Sequence, residues 1–157
     1  MSGRYWEDIE TGAKQTLGRY TFTEEEIIRF ARAYDPQPFH IDPQAAARSF
    51  YGGIIASGWH TVAVWMKLAV ANNFGATREG PKSGVSPGFE DLRWITPVRP
   101  GMTLTYSSET IDKVALKSRP QWGLVKSRNE ARSEDGALLM SFIGKGFVER
   151  RMTGDSA

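Results

Sequence analysis

The chain has 157 residues, enough for one ordinary domain with a buried core. Hydrophobic residues make up 40% and charged residues 24%, a globular rather than a disordered composition, and 20 Lys and Arg against 18 Asp and Glu leave a formal charge of +2. That small, scattered excess is not the concentrated basic stripe of a nucleic-acid binder. The lack of cysteine excludes disulfides, thiolate nucleophiles and cysteine-ligated metals, and fits a reducing, cytoplasmic location.

The N-terminal stretch MSGRYWEDIETG is polar and acidic, unlike a secretory signal. Residues 18–23, GRYTFT, read as a short β-like entry. Thr23 followed by Glu26 is a capping box that opens a helix. Ile27, Ile28, Phe30, Ala31 and Tyr34 fall on one face of it. Pro36 should end that helix, which leaves Asp35 just past its last turn. Residues 36–41, PQPFHI, are expected to form a stiff, extended elbow outside regular structure, because two prolines lie two residues apart. A second helix is expected over residues 43–50, with Asp42 as its N-cap and Pro43 at its first position.

Gly52 and Gly53 break the chain, and Ser57 is the expected N-cap of a helix over residues 58–74, roughly 25 Å long at about 1.5 Å per residue. Trp59, Val62, Val64, Trp65, Met66, Leu68, Ala69 and Val70 cover more than one stripe of it. It should therefore be buried nearly all round, with Trp59, Trp65 and Met66 in the core. Ser57, His60, Lys67, Asn72 and Asn73 make it too polar to cross a membrane. His60 reads as facing a polar pocket. Residues 75–84 read as a flexible loop. Strands are expected over residues 83–95, 102–115, 122–133 and 138–150, with turn chemistry in TPVRPG and EDG. The sum is an α+β domain over residues 1–150, an antiparallel sheet wrapped around one long apolar helix, and a frayed tail over residues 151–157.

Tyr34 to Asp42 reads YDPQPFHID. This resembles the signature Gly-Asp-x-Asn-Pro-x-His-x-Asp of the MaoC-like dehydratases, the (R)-specific enoyl-CoA hydratases of hot-dog fold. Asp35 and His40 keep their spacing, and Pro38 and Asp42 match. Downstream, FEDLRWITPVRPGMTLT is similar to the family's strand pair, with Met102 where Asp is common. The departures are Tyr34 for Gly, Gln37 for Asn, and Ser57 where the family often has His before the glycine of its central helix.

The resemblance implies a hot-dog fold with a short overhanging helical segment. It also implies a lyase that hydrates a trans-2-enoyl-CoA to an (R)-3-hydroxyacyl-CoA, or runs the reverse dehydration. Asp35 and His40 would be the acid–base pair around one water. The Gly58 amide at a helix start would receive the thioester oxygen as it gathers negative charge. Ser57, Phe39 and Gln37 would contact substrate. Lys82, Arg93, Arg99 and Lys145 are all eligible to hold the CoA phosphates. The resemblance further implies no metal and no cofactor beyond the CoA thioester substrate, no nucleic-acid or membrane partner, and a homodimer that can stack into a higher homo-oligomer.

Other readings compete with this one. A non-catalytic acyl-CoA-binding module, or a supporting subunit of a two-subunit dehydratase, would not need both Asp35 and His40. An acyl-CoA thioesterase of the same fold would not carry this elbow. With two histidines and no cysteine, nothing is spaced as a metal site. Ser57 and His60, three apart on one helix, do not make a hydrolytic triad, and the Gly-x-Ser-x-Gly elbow is absent. No phosphate-binding glycine loop is present.

Overall fold

Thr23 starts the first helix as its sequence demands: its Oγ1 accepts a hydrogen bond from the Glu26 amide at 3.2 Å. In the computed structural model, which describes residues 4–72 and 80–151, this helix, α1, spans Glu24–Tyr34. It follows β1, Lys14–Thr21, which is longer than the expected entry and is preceded by a single 3-10 turn at Trp6–Asp8. α1 buries Ile27 and Ala31, while Tyr34 is exposed.

The segment after α1 departs from expectation. Residues 36–41 are not wholly irregular, because Pro38–Ile41 forms one helical turn, α2. Proline at a first helical position loses no hydrogen bond, and its fixed φ suits the helix. The His40 amide donates to the Gln37 carbonyl and the Asp42 amide to the Pro38 carbonyl, both at 2.9 Å. Asp42 then caps α3, Pro43–Arg48, accepting from the Gln44 and Ala45 amides at 2.9 and 3.1 Å. α3 stops short of Phe50 because Ser49 Oγ turns back to donate to the Ala46 carbonyl at 2.6 Å.

The apolar helix, α4, spans Gly58–Ala71, and its expected end at Phe74 lies outside the described residues, as does the first half of the loop over residues 75–84. It is not buried all round. His60, Thr61, Val64, Trp65 and Ala69 face the core, whereas Trp59, Met66 and Val70 are about half exposed (50%, 52% and 59%). The sheet has one concave face, and α4 can lay only one side against it.

Five antiparallel strands form one sheet in the order β1-β3-β4-β5-β2. They are β2, Phe89–Trp94; β3, Thr103–Ala115; β4, Trp122–Arg132; and β5, Leu138–Glu149. β2 is shorter than expected. Pro87 has no amide to give a ladder, Gly88 sits at φ +133°, and only an isolated bridge from Ser83 to Val148 precedes it. Along β4, Val125, Ser127, Asn129 and Ala131 point inward at the two-residue period of a half-buried strand.

Hydrogen bonds seat α4 on this face. Trp65 Nε1 donates to Asn129 Oδ1 at 3.0 Å, and the Tyr106 hydroxyl donates to the Thr61 carbonyl at 3.0 Å. A bulge in β1 at Gly18, φ +145°, lets Leu68 pack onto the strand. No described helix is long and apolar enough to cross a membrane. Of the expected tail only Arg151 is described, and it holds Asp8 with two hydrogen bonds of 2.7 Å; residues 152–157 lie outside the described residues.

Candidate active site

Asp35 is the C-cap of α1, with φ −152° and ψ 69°, because the following proline keeps it out of the helical region. The turn of α2 then brings His40 back toward it. His40 Nε2 lies 3.2 Å from Asp35 Oδ2, with the imidazole almost fully buried and the carboxylate 18% exposed. On its other side, His40 Nδ1 is 2.6 Å from the Ile55 carbonyl oxygen. A carbonyl only accepts, so Nδ1 carries a proton and donates. Nε2 therefore faces a carboxylate oxygen, and that contact is favourable only when a proton lies between them.

The other carboxylate oxygen is also held. Gln37 Nε2 donates to Asp35 Oδ1 at 2.7 Å. Ser57 stands at the N-cap position of α4 but does not cap it with its side chain. Its hydroxyl is buried and meets no partner at full hydrogen-bond geometry, yet it lies near enough to Asp35 to favour the charged carboxylate. Burial is the largest single influence on Asp35 and pushes its pKa up. Gln37, Ser57 and the His40 charge together outweigh burial and hold it below the ordinary carboxylate range.

Ser57 thus takes the expected N-cap position of α4, but the expectation that its side chain caps the helix is corrected, because the hydroxyl makes no hydrogen bond to the α4 amides. The first amides of α4 keep no side-chain cap, and a helix start leaves such amides without intrahelical partners. Gly58 opens this helix beneath the Trp94 indole, where a Cβ would come within 2.3 Å of the ring. Trp94 in turn meets Trp59 edge-on at 5.1 Å.

The structure therefore brings together Asp35, Gln37, His40 and Ser57, with Gly58 next along the chain. Phe39 lies beside the pair and packs against the core, edge-on to His40 at 4.6 Å and against Tyr51 at 5.2 Å. Among the eligible cations, Arg93 pairs with Asp91 at 2.8 Å and Lys145 pairs with Glu90. Arg99 makes no ion pair among the described residues, and its guanidinium borders Gly53 on the approach to α4. Two parts of the site had no sequence signal. The Ile55 carbonyl is a backbone group, and Trp94 arrives from the edge strand of the sheet.

A single sheet curved over one helix, with an acid–imidazole pair overhanging that helix's N-terminus, is the hot-dog architecture of the MaoC-like hydratases and dehydratases. The chain belongs to that family: the MaoC like domain matches residues 8–131. It is similar to a crystal structure of the MaoC-like dehydratase from Rhodospirillum rubrum, with 33% identity, a TM-score of 0.85, and coverage of 96% of this chain and 99% of that one. Among curated proteins it is 33% identical to "Uncharacterized protein YdeM" of Bacillus subtilis, over 58% of this chain and 62% of that protein. It is 31% identical to 3-hydroxyacyl-thioester dehydratase Z of Mycobacterium tuberculosis, over 66% of this chain and 70% of that one. The chain spans less than two thirds of the length of the first curated relatives it matches, from 36% to 62%.

Proposed function

We propose that this chain is a hydro-lyase that adds water to a trans-2-enoyl-CoA to give an (R)-3-hydroxyacyl-CoA, or removes water in reverse. The observation that carries this reading is the 3.2 Å contact between Asp35 Oδ2 and His40 Nε2 beside the uncapped start of α4. Asp35, kept ionised, accepts a proton from water as its oxygen bonds to the β-carbon. His40, with Nδ1–H anchored on Ile55, passes its Nε2 proton to the α-carbon. Negative charge that gathers on the thioester oxygen meets the Gly58 amide and the positive end of the α4 dipole. The reaction adds H and OH with no net electron transfer, so it calls for no redox cofactor. Arg99, which makes no ion pair among the described residues and lies beside Gly53, is the residue we assign to the CoA phosphates.

The test is to add the purified chain to crotonyl-CoA and to a panel of branched and aromatic enoyl-CoAs, and to follow the conjugated thioester absorbance. Loss of absorbance with no release of free CoA is the expected result. Inertness toward the whole panel overturns the reading in favour of a binding module or supporting subunit, and release of free CoA points to a thioesterase.

Gln37 is expected to set the acid limb of this activity. Gln37→Leu removes the donor on Asp35 Oδ1 and lets burial raise the carboxyl. The acid limb of kcat/KM should then move to higher pH. The sign is the same for stability. A depressed carboxyl stabilises the fold above its unfolded pKa, and that contribution is lost as pH falls through the folded value. The contribution should therefore be smaller in the variant, and its loss complete at a higher pH. An unmoved limb would show that Gln37 does not tune Asp35.

The exposed side of α4 supports self-association. Trp59, Met66 and Val70 form an apolar stripe, and Phe89, Trp94 and Ile95 on and beside edge strand β2 continue it. An apolar patch beside an unpaired strand edge is the surface that a second copy covers. We assign it to a homodimer. Met66→Glu should convert the dimer to a monomer in sedimentation at micromolar concentration, and an unchanged mass would place the interface elsewhere.

A further inference from the structure

Phe50 is 99% exposed, so its ring gains nothing from the core. The turn that carries it is nonetheless tightly held. Ser49 Oγ donates to the Ala46 carbonyl at 2.6 Å and accepts from the Tyr51 amide at 3.2 Å, and the Gly52 amide donates to the Ser49 carbonyl at 3.1 Å. Gly52 sits at φ +68°, the left-handed region in which the chain reverses without a steric penalty. Behind the turn, Tyr51 packs on Phe39 at 5.2 Å. A fixed backbone therefore presents the Phe50 ring to solvent.

This turn leads directly into the site. Residues 53–57 run from it to the start of α4, and on the way the Ile55 carbonyl holds His40 and the Ala56 amide donates to the Val98 carbonyl at 2.8 Å. That last bond sets Arg99 beside Gly53, with its guanidinium 3.6 Å from where a Cβ on Gly53 would stand. Ring contacts give a second connection, from His40 to Phe39 at 4.6 Å, from Phe39 to Tyr51 at 5.2 Å and from Tyr51 to Phe50 at 5.6 Å. Phe50 is thus no further from His40 than those three steps laid end to end, a span that a pantetheine arm and its pyrophosphate can bridge.

The surroundings of the ring favour a nucleotide over a protein partner. Ala47, Arg48 and Gly52 beside it are exposed, and they are small or charged, so Phe50 does not belong to a contiguous apolar patch. The apolar stripe assigned to the homodimer is made by α4 and the region of β2 instead. Arg48 and Arg99 make no ion pair among the described residues. An open aromatic face suits any base, because every base has a π-face, and a guanidinium matches phosphate oxygens in charge and geometry.

We propose that Phe50 is the platform on which the adenine of the CoA thioester stacks, with Arg99 on the phosphates beside it. The assignment rests on the enoyl-CoA reading above and deepens it. It makes the nucleotide end of the carrier a recognised part of the substrate, which a thioester on pantetheine alone, or on the phosphopantetheine arm of a carrier protein, does not offer.

The test uses saturated thioesters, which bind without reacting. Calorimetry compares hexanoyl-CoA with hexanoyl-pantetheine on the wild-type chain, on Phe50→Ala and on Phe50→Tyr. Phe50→Ala should weaken hexanoyl-CoA about five- to hundredfold, the usual worth of one base stacked on one aromatic side chain, and leave hexanoyl-pantetheine unmoved. Phe50→Tyr keeps a flat ring and should keep most of the affinity. Truncating so exposed a ring removes little packing, so Phe50→Ala should unfold at the wild-type midpoint. Unchanged affinity of Phe50→Ala for hexanoyl-CoA overturns the proposal, and so does a loss shared equally by both thioesters. A lower mass of Phe50→Ala in sedimentation also overturns it, by making the ring a subunit contact. Turnover of crotonyl-CoA without the Phe50 effect leaves the hydratase reading intact and removes the platform. The Phe50 effect without turnover does the converse, and failure to bind either thioester removes both.

Discussion

Asp35→Asn is expected to lower the hydration rate by about 10²–10⁴-fold while leaving the fold intact. The substitution removes charge and basicity but little shape. An asparagine oxygen at the Oδ1 position can still accept from Gln37 Nε2, which now sits 2.7 Å away. Its amide nitrogen can donate to His40 Nε2, with Nδ1–H still on Ile55. The contacts thus survive with a neutral imidazole, and the water has no base. His40→Gln should lose activity to a similar degree, since no titratable proton remains for the α-carbon. Circular dichroism and thermal unfolding separate loss of chemistry from loss of structure. Near-normal turnover in either folded variant would remove the pair from the mechanism.

Gly58→Ala is the second large effect, and it acts through packing as well as chemistry. A methyl group there would lie 2.3 Å from the Trp94 ring, far inside contact distance. Either the indole swings away, uncovering Trp59, or the start of α4 shifts. Overpacking of this kind typically costs about 1–3 kcal/mol. If the helix start moves, the amide assigned to the thioester oxygen moves with it, and losing one such donor is worth about 10²–10³ in kcat. The expected result is a lowered midpoint of thermal unfolding together with that loss of kcat. Trimming Trp94 to Leu in the same background should recover much of the midpoint. Full activity in Gly58→Ala would show that this amide is not used.

Much of this was legible in the sequence because the signals were local. A threonine cap, a proline after Asp35 and an aspartate cap before Pro43 fix three ends of two helices, both ends of α1 and the start of α3. They also fix where Asp35 and His40 sit along the chain. The helical turn at Pro38–Ile41 was missed because two prolines argue for extended backbone, although a proline at a first helical position is no obstacle. The exposed side of α4 was missed for a different reason. Apolar residues all round a helix say that every face is covered, but not whether the cover comes from its own sheet or from another molecule. Contacts made across the fold left no pattern in the chain. The Ile55 carbonyl that orients His40, the indole over Gly58 and the stacking of Phe30 on His60 depend on tertiary approach rather than on spacing.

Incubating the purified chain alone with crotonyl-CoA in deuterium oxide, and reading the product by nuclear magnetic resonance, tests the central claim most directly. The account predicts (R)-3-hydroxybutyryl-CoA with a single deuterium at the α-carbon, formed by the wild type and nearly abolished in Asp35→Asn. Crotonyl-CoA recovered without hydration, or product formed equally well by Asp35→Asn, would contradict it.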